Sequence, residues 1–127
     1  MTEHLEMACG LLDALVHRPG MYLVNAHSLL EIETMMHGFD IAGISYGKRG
    51  VDGVEPGFNE AFMRFVSVHM NKQVSVRGWA NFIESKAFRG RGTEQQVGSW
   101  ELFLNMYQDF SEELRYAKSR ADTPRDL

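Results

Sequence analysis

Apolar side chains recur at three- and four-residue steps in five separate stretches of this chain, and no other feature constrains the fold as strongly. That spacing places the apolar residues of each stretch on one face of an α-helix. The most regular stretch runs from Leu29 to Tyr46, and the longest runs from Val97 to Leu114. We therefore predict an all-α protein, a single-domain bundle of about five helices.

The end of the first helix is fixed by Pro19, which lacks an amide hydrogen and disfavours the helical region for Arg18. Gly20 then lets the chain turn sharply. The next three residues, Met21 to Leu23, are apolar but too few to form an element of their own. We predict that they form an apolar strap pressed onto the core between the first two helices, with Tyr22 buried.

Two later helices begin with a capping box, a pattern in which two side chains satisfy backbone amides at the helix N-terminus. The pattern spans Ser28 to Glu31 before the second helix and Thr93 to Gln96 before the last. Trp79 is predicted to be a core anchor of a short helix between them. The apolar spacing ends after Tyr116, so we predict one helical domain of residues 1–116 and a frayed or disordered tail of residues 117–127.

A chain of 127 residues with 44% hydrophobic content can form one domain with its own core. Its single cysteine, Cys9, excludes an internal disulfide, and its place on an apolar stripe predicts a buried side chain. The sequence has no signal-peptide apolar run and no apolar stretch of about 20 residues that could span a membrane. We expect a cytoplasmic protein that does not bind membranes.

Charge is unevenly distributed along the chain. Residues 1–63 hold nine acidic and three basic side chains (−6), and residues 64–127 hold eight and ten (+2), which gives the net charge of −4. An acidic first half argues against nucleic-acid binding, because neutralising phosphates needs Lys and Arg. It suits a basic protein partner, and it is equally compatible with a face that is only solvated.

One candidate site is the trio Glu33, His37 and Asp40, which share a helix face at i, i+4 and i+7. The carboxylates could orient the histidine as a base, help to bind a metal or contact a partner; such a trio is also often incidental. A second candidate is Arg89 with Arg91, which could accept an anion or an acidic partner, or simply end a helix favourably. The chain has no zinc-binding or phosphate-binding motif, so we predict no metal, no cofactor and no catalytic residue.

Three motifs stand out along the chain: Arg18-Pro19-Gly20-Met21-Tyr22-Leu23, Gly78-Trp79-Ala80-Asn81-Phe82-Ile83, and the segment from Leu102 to Phe110. They resemble motifs of a group of small uncharacterised bacterial proteins, which read R-P-G-M-Y-[LI]-G, then G-W-A-x-x-I, then a helix ending near F-F-x-L-x-x-F. The resemblance covers most of residues 11–114. Val24 stands where that group usually has Gly, which leaves the turn after Leu23 open. The resemblance implies a small bacterial helical protein of the toxin-immunity kind, with a structural motif formed by Arg18, Pro19, Gly20, Tyr22 and Trp79.

The first motif also resembles the start of the ATPase domain of the DNA gyrase B subunit. There, R-P-G-M-Y-I-G precedes an ATP-binding helix that carries E-x-x-D-N. In this chain the following helix has no Asp-Asn pair, no D-x-G-x-G follows, and the chain is too short for that domain. We interpret the match as a shared local joint, by which we mean the segment that connects the first two long helices. We predict no ATP binding.

Two classes of function remain. The leading expectation is a protein-binding module, an immunity or antitoxin-type protein that binds and neutralises a cognate bacterial toxin, acting as a monomer or homodimer. Its expected partner contacts are Glu33, His37, Asp40, Arg89 and Arg91. The alternative is a small enzyme or ligand-binding regulator that uses the same trio or the Arg89 to Arg91 loop.

Overall fold

A computed structural model describes residues 3–49, 55–70, 78–86 and 93–122, with side chains in the last stretch described from 98 to 117. The helices are α1 Glu3–His17, α2 Pro19–Tyr22, α3 Leu29–Ser45, α4 Phe58–Met70, α5 Trp79–Lys86 and α6 Thr93–Asp122. No strand occurs in these ranges. The all-α prediction is confirmed. The described part of the chain has six helices rather than five, because the short α2 is a helix of its own.

The core is built around aromatic rings, with α3 packed against α1, α4, α5 and α6. Trp79 is 1% exposed, stacks on Phe103 with ring centroids 5.4 Å apart and meets Phe62 edge-on at 5.0 Å. Its indole N–H donates to Asn59 Oδ1 at 2.9 Å, so the polar end of the ring is satisfied. The prediction that Trp79 anchors the core is confirmed.

Helix α1 buries its predicted apolar stripe, which includes Cys9. The hydroxyl of Tyr107 on α6 lies 2.9 Å from the carbonyl oxygen of Cys9 and 2.8 Å from the carboxylate of Asp13, and so ties α6 to α1. Burial raises the pKa of the Cys9 thiol and of the Tyr107 hydroxyl. Both groups therefore stay protonated at neutral pH, and the prediction that Cys9 is buried is confirmed.

The joint after α1 differs from the prediction. Helix α1 ends at His17, as expected, but Pro19 then begins a new helical turn, where its missing amide hydrogen costs no hydrogen bond. Met21 is 68% exposed and Tyr22 is 47% exposed, while Leu23 is buried. The strap prediction is therefore wrong for Met21 and Tyr22. The helical turn ends at Tyr22, and the extended backbone at Leu23 lets that side chain alone of the three reach the core.

The start of α3 forms one half of the predicted capping box. Ser28 Oγ accepts a hydrogen bond from the Glu31 amide at 3.3 Å. The Glu31 carboxylate does not return to Ser28; its two oxygens accept from the Val24 and Asn25 amides, each at 2.7 Å. Glu31 therefore holds the loop before α3 instead of closing the box.

At the other end of the chain, α6 continues to Asp122, past Tyr116 where the apolar spacing stops. Ala, Lys and Arg, which dominate that stretch, favour helix even without core contacts. The helix thus enters the predicted tail, and residues 123–127 lie outside the described residues.

Candidate protein-binding surface

Asp40 does not lie on a solvated face. It is 7% exposed, and its carboxylate accepts hydrogen bonds from His4 Nε2 at 2.7 Å, the Phe58 amide at 2.7 Å and the Asn59 amide at 3.1 Å. These amides open α4, so Asp40 of α3 serves as the cap of another helix. One carboxylate thereby joins α1, α3 and α4, so Asp40 is a buried cap and not the exposed side chain that a partner contact would need.

Two glycines make room for this arrangement. A Cβ added to Gly43 would lie 2.5 Å from the His4 ring, and one added to Gly57 would collide with the Asp40 carboxylate. The His4 ring is also stacked on Phe39, with centroids 4.7 Å apart. The pair is therefore enclosed by packing on several sides, which is typical of a structural polar contact in a core.

Glu33 plays a similar role for α5. Its Oε2 accepts from the Ala80 amide at 2.9 Å, and its backbone carbonyl accepts from Asn59 Nδ2 at 2.9 Å. Gly78, with a φ of 98°, leaves space for this carboxylate in front of the helix. Burial, and then the nearby Glu33 carboxylate, raise the pKa of Glu84 on α5. Glu33 therefore fixes the start of α5 and is not a freely available surface group.

The third member of the predicted trio, His37, is exposed. The structure thus separates the trio into two helix caps and one surface histidine. Within the described ranges, no group of three His, Cys, Asp or Glu side chains is arranged to hold a metal ion. The other predicted contacts, Arg89 and Arg91, lie outside the described residues.

The negative charge of the first half is largely engaged within the molecule. Besides the capping carboxylates, three more form ion pairs: Glu3 with Lys48 at 2.9 Å, Asp13 with Arg115 at 3.3 Å and Glu60 with Arg64 at 2.7 Å. These carboxylates offer a basic partner little unpaired charge. Much of the negative charge of residues 1–63 is therefore used to cap helices and to form ion pairs.

A different surface remains open on α3. We define the outer face of α3 as Leu30, Thr34, His37, Ile41 and Ile44, which follow one another at helical spacing. Leu30 is 61% exposed, Ile41 is 51% exposed and Ile44 is 49% exposed. The opposite side of the same helix is fully buried through Leu29, Ile32 and Met36. A helix with apolar residues on both sides is normally covered on both sides.

The outer face continues into a second exposed region. We define the joint patch as Met21, Tyr22, Val24 and Leu30, of which Val24 is 94% exposed. Val24 and Leu30 line a shallow groove that also includes Leu23, Thr34 and Met35. Because Val24 and Leu30 line the same groove, the joint patch meets the outer face at Leu30.

The loop that carries Val24 is held firmly. Glu31 binds two successive loop amides, and the Ser28 amide donates to the Asn25 carbonyl at 3.1 Å. His27 has a φ of 72°, a backbone conformation that non-glycine residues adopt uncommonly, and its ring packs edge-on against Trp100 at 4.9 Å. The exposure of Val24 is therefore built into an ordered loop.

A further concavity lies between α4 and α6. It has a volume of about 320 Å³ and is lined mainly by apolar groups, among them Phe65, Val68, Phe110 and Leu114, with Arg64, His69 and Glu113 also in its lining. That volume is at the small end of the range for ligand sites.

Comparison of the chain with protein-family models, with curated proteins and with solved structures finds no match. Among the helices that the structure describes, none is long and apolar enough to cross a membrane. A proposal about function must therefore rest on the exposed residues of this protein.

Sequence reasoning missed the outer face, although a signal was present. Leu30, Ile41 and Ile44 are apolar but lie off the stripe that was assigned to the core. The burial of Asp40 also had a signal, because it stands four residues after Met36 and three before Gly43, within the buried stripe. Which amides it would cap could not be read from spacing, since α4 is distant in sequence.

Proposed function

We propose that this chain is a protein-binding module of the immunity or antitoxin type, which uses the outer face of α3 to bind and neutralise a bacterial toxin. The observation that supports it most is the row of half-exposed aliphatic side chains on a helix whose other side forms the core. Rows of this kind are common where a second protein covers them. The bacterial setting and the toxin come from the motif resemblance.

The chemistry of the surface favours burial of apolar area over attraction between charges. Fully burying an exposed Leu or Ile contributes about 1.5 to 3 kcal/mol, so a half-exposed one contributes about 1 kcal/mol when it is covered. Leu30, Ile41 and Ile44 together then supply about 3 kcal/mol. The acidic steering expected from the sequence is not part of this proposal.

A second candidate function, a ligand-binding regulator, is supported by the groove between α4 and α6. An enzyme that used the trio for catalysis fits less well, because Glu33 and Asp40 are occupied as helix caps. If the groove binds a small apolar ligand, Ala61→Phe should fill it and abolish the thermal stabilisation that the ligand gives to the unmodified protein. An unchanged stabilisation in this variant would remove the groove from consideration.

The leading proposal predicts a toxin gene beside the gene of this chain, and its test is co-expression of the two. Ile41→Arg should keep its helix content but lose protection of the cells, because a charge would be buried in the interface. Val68→Arg is the matched control, since Val68 is 76% exposed on α4, away from the outer face of α3.

Each outcome is informative. Protection by Val68→Arg but not by Ile41→Arg would support the outer face as the interface. Equal protection by both variants would refute that location, and loss of protection in Val68→Arg alone would move the interface to the groove. Failure of the unmodified chain to protect would refute the immunity proposal itself.

A further inference from the structure

The joint patch has a positively charged border. Arg18 is exposed directly before α2, and its Nη1 contacts the sulfur of Met21 at 3.9 Å. Within the described part of the chain it forms no ion pair, and the neighbouring His17 is exposed as well. Arg18 therefore presents nearly its whole set of guanidinium donors to solvent.

The carboxylates near this border are engaged elsewhere. Asp13, one helical turn before His17, accepts from Tyr107 and pairs with Arg115. Glu31, across the groove, binds the Val24 and Asn25 amides with both oxygens. The border of the joint patch is thus positive, although the first half of the chain is acidic overall.

We infer that the joint patch binds an acidic segment of a partner protein in which apolar side chains alternate with carboxylates. This deepens the proposed function and rests on it for the identity of the partner. Apolar side chains of the segment would cover Tyr22, Val24 and Leu30, and a carboxylate would pair with Arg18, whose planar fork suits that group. Tyr and Arg are among the residue types that are enriched at the energetic centre of an interface.

The rigidity of the loop supports the same conclusion. Ordering a flexible loop on binding costs free energy, and a loop that is already held avoids that cost. Glu31 and the ring of His27 hold residues 24 to 28 before any partner arrives. An exposed Val24 in a fixed loop is therefore well prepared for a protein contact.

An anionic membrane and a second copy of the chain fit the joint patch less well than an acidic protein segment does. Anionic membranes are usually recognised by clusters of about four to eight Lys or Arg side chains, whereas this border has Arg18 and His17. A second copy of the chain would bring the same patch together across a two-fold axis, which would place like charges close to each other.

The test uses two short fluorescent helical peptides that have leucine at the same positions. One peptide carries Glu at every charged position, and the other carries Lys there. Their binding to the full chain is measured by fluorescence anisotropy at low and high salt. The acidic peptide should bind about tenfold more tightly than its basic twin at low salt, and the preference should shrink as salt screens the charges. Arg18→Glu should remove the preference for the acidic peptide, and Arg18→Lys should keep most of it. Val24→Glu should weaken the binding of both peptides.

Met7→Glu is the control for adding a carboxylate at an exposed apolar site elsewhere, because Met7 is 48% exposed on α1. Equal binding of both peptides, no binding of either, or normal binding by Val24→Glu would overturn the inference. Binding to phosphatidylserine vesicles that Arg18→Glu removes would assign the patch to a membrane, and a concentration-dependent dimer that Val24→Glu dissociates would assign it to a second copy.

The peptide assay needs no toxin, so the two proposals can fail separately. Selective peptide binding without toxin neutralisation would refute the proposed function and leave the patch chemistry standing. Toxin neutralisation without peptide selectivity would refute the patch chemistry alone.

Discussion

Replacing Asp40 by Ala should be among the most destabilising single changes in this chain. The substitution removes the acceptor for three hydrogen bonds and leaves the His4 ring, which is 1% exposed, without its carboxylate partner. It also removes the cap from the first amides of α4. The loss therefore affects the packing of three helices at once.

The loss of stability in Asp40→Ala can be worked out from the interactions that the substitution removes. Loss of an N-cap costs about 0.5 to 2 kcal/mol, and each buried polar group left unsatisfied costs about 1 to 3 kcal/mol. These terms overlap, because the same amides appear in both, and breaking a buried pair typically costs about 3 to 5 kcal/mol. We expect Asp40→Ala to lower the free energy of unfolding by about 3 to 5 kcal/mol.

The assay is urea unfolding followed by circular dichroism, with His37→Ala as the control on the same helix. His37 is exposed, so its replacement should change stability by less than about 0.5 kcal/mol. In a double-mutant cycle, His4→Ala and Asp40→Ala should couple by about 1 to 3 kcal/mol. A loss below about 1 kcal/mol for Asp40→Ala, or additive effects in the cycle, would refute the role assigned to this carboxylate.

Three further predictions concern other parts of the molecule. Trp79→Ala should cost about 3 to 5 kcal/mol in urea unfolding, whereas Tyr22→Ala should cost less than about 1 kcal/mol because Tyr22 is 47% exposed; equal costs would contradict the burial described for them. Cys9 should react with a thiol reagent such as DTNB only after unfolding, because it is buried and its pKa is raised; rapid labelling of the folded protein would disagree. The raised pKa of Glu84 means that the folded protein binds that proton more tightly than the unfolded chain, so stability falls as pH rises from 4.5 towards the raised value. Glu84→Gln should flatten this part of the stability profile, and an unchanged slope would count against the shift.

Local patterns in the sequence were enough to predict most of the helices and the position of Trp79. Helical spacing and the proline break depend on residues close together in the chain, and these signals located α1, α3, α4 and the described part of α6. The joint was predicted less well. Its three apolar residues were assigned to the core by composition alone, while the geometry of a helical turn exposes Met21 and Tyr22.

The roles of the α3 carboxylates could not be derived in the same way. Glu33 and Asp40 look like members of one charged face until α4 and α5 are placed against α3. Capping of one helix by a side chain from another depends on tertiary packing, which spacing within a single helix does not report. For the same reason, the net charge of a stretch of sequence did not predict the charge left unpaired on the surface.

The most direct test of the proposed interface is a methyl NMR titration of the chain with the toxin that the proposed function predicts as its partner. We expect the methyl signals of Ile41, Ile44, Leu30 and Val24 to shift or broaden on binding, while those of the buried Ile32 and Ile83 change little. Perturbations centred on Val68 and Leu114, with the outer face of α3 unchanged, would contradict this expectation.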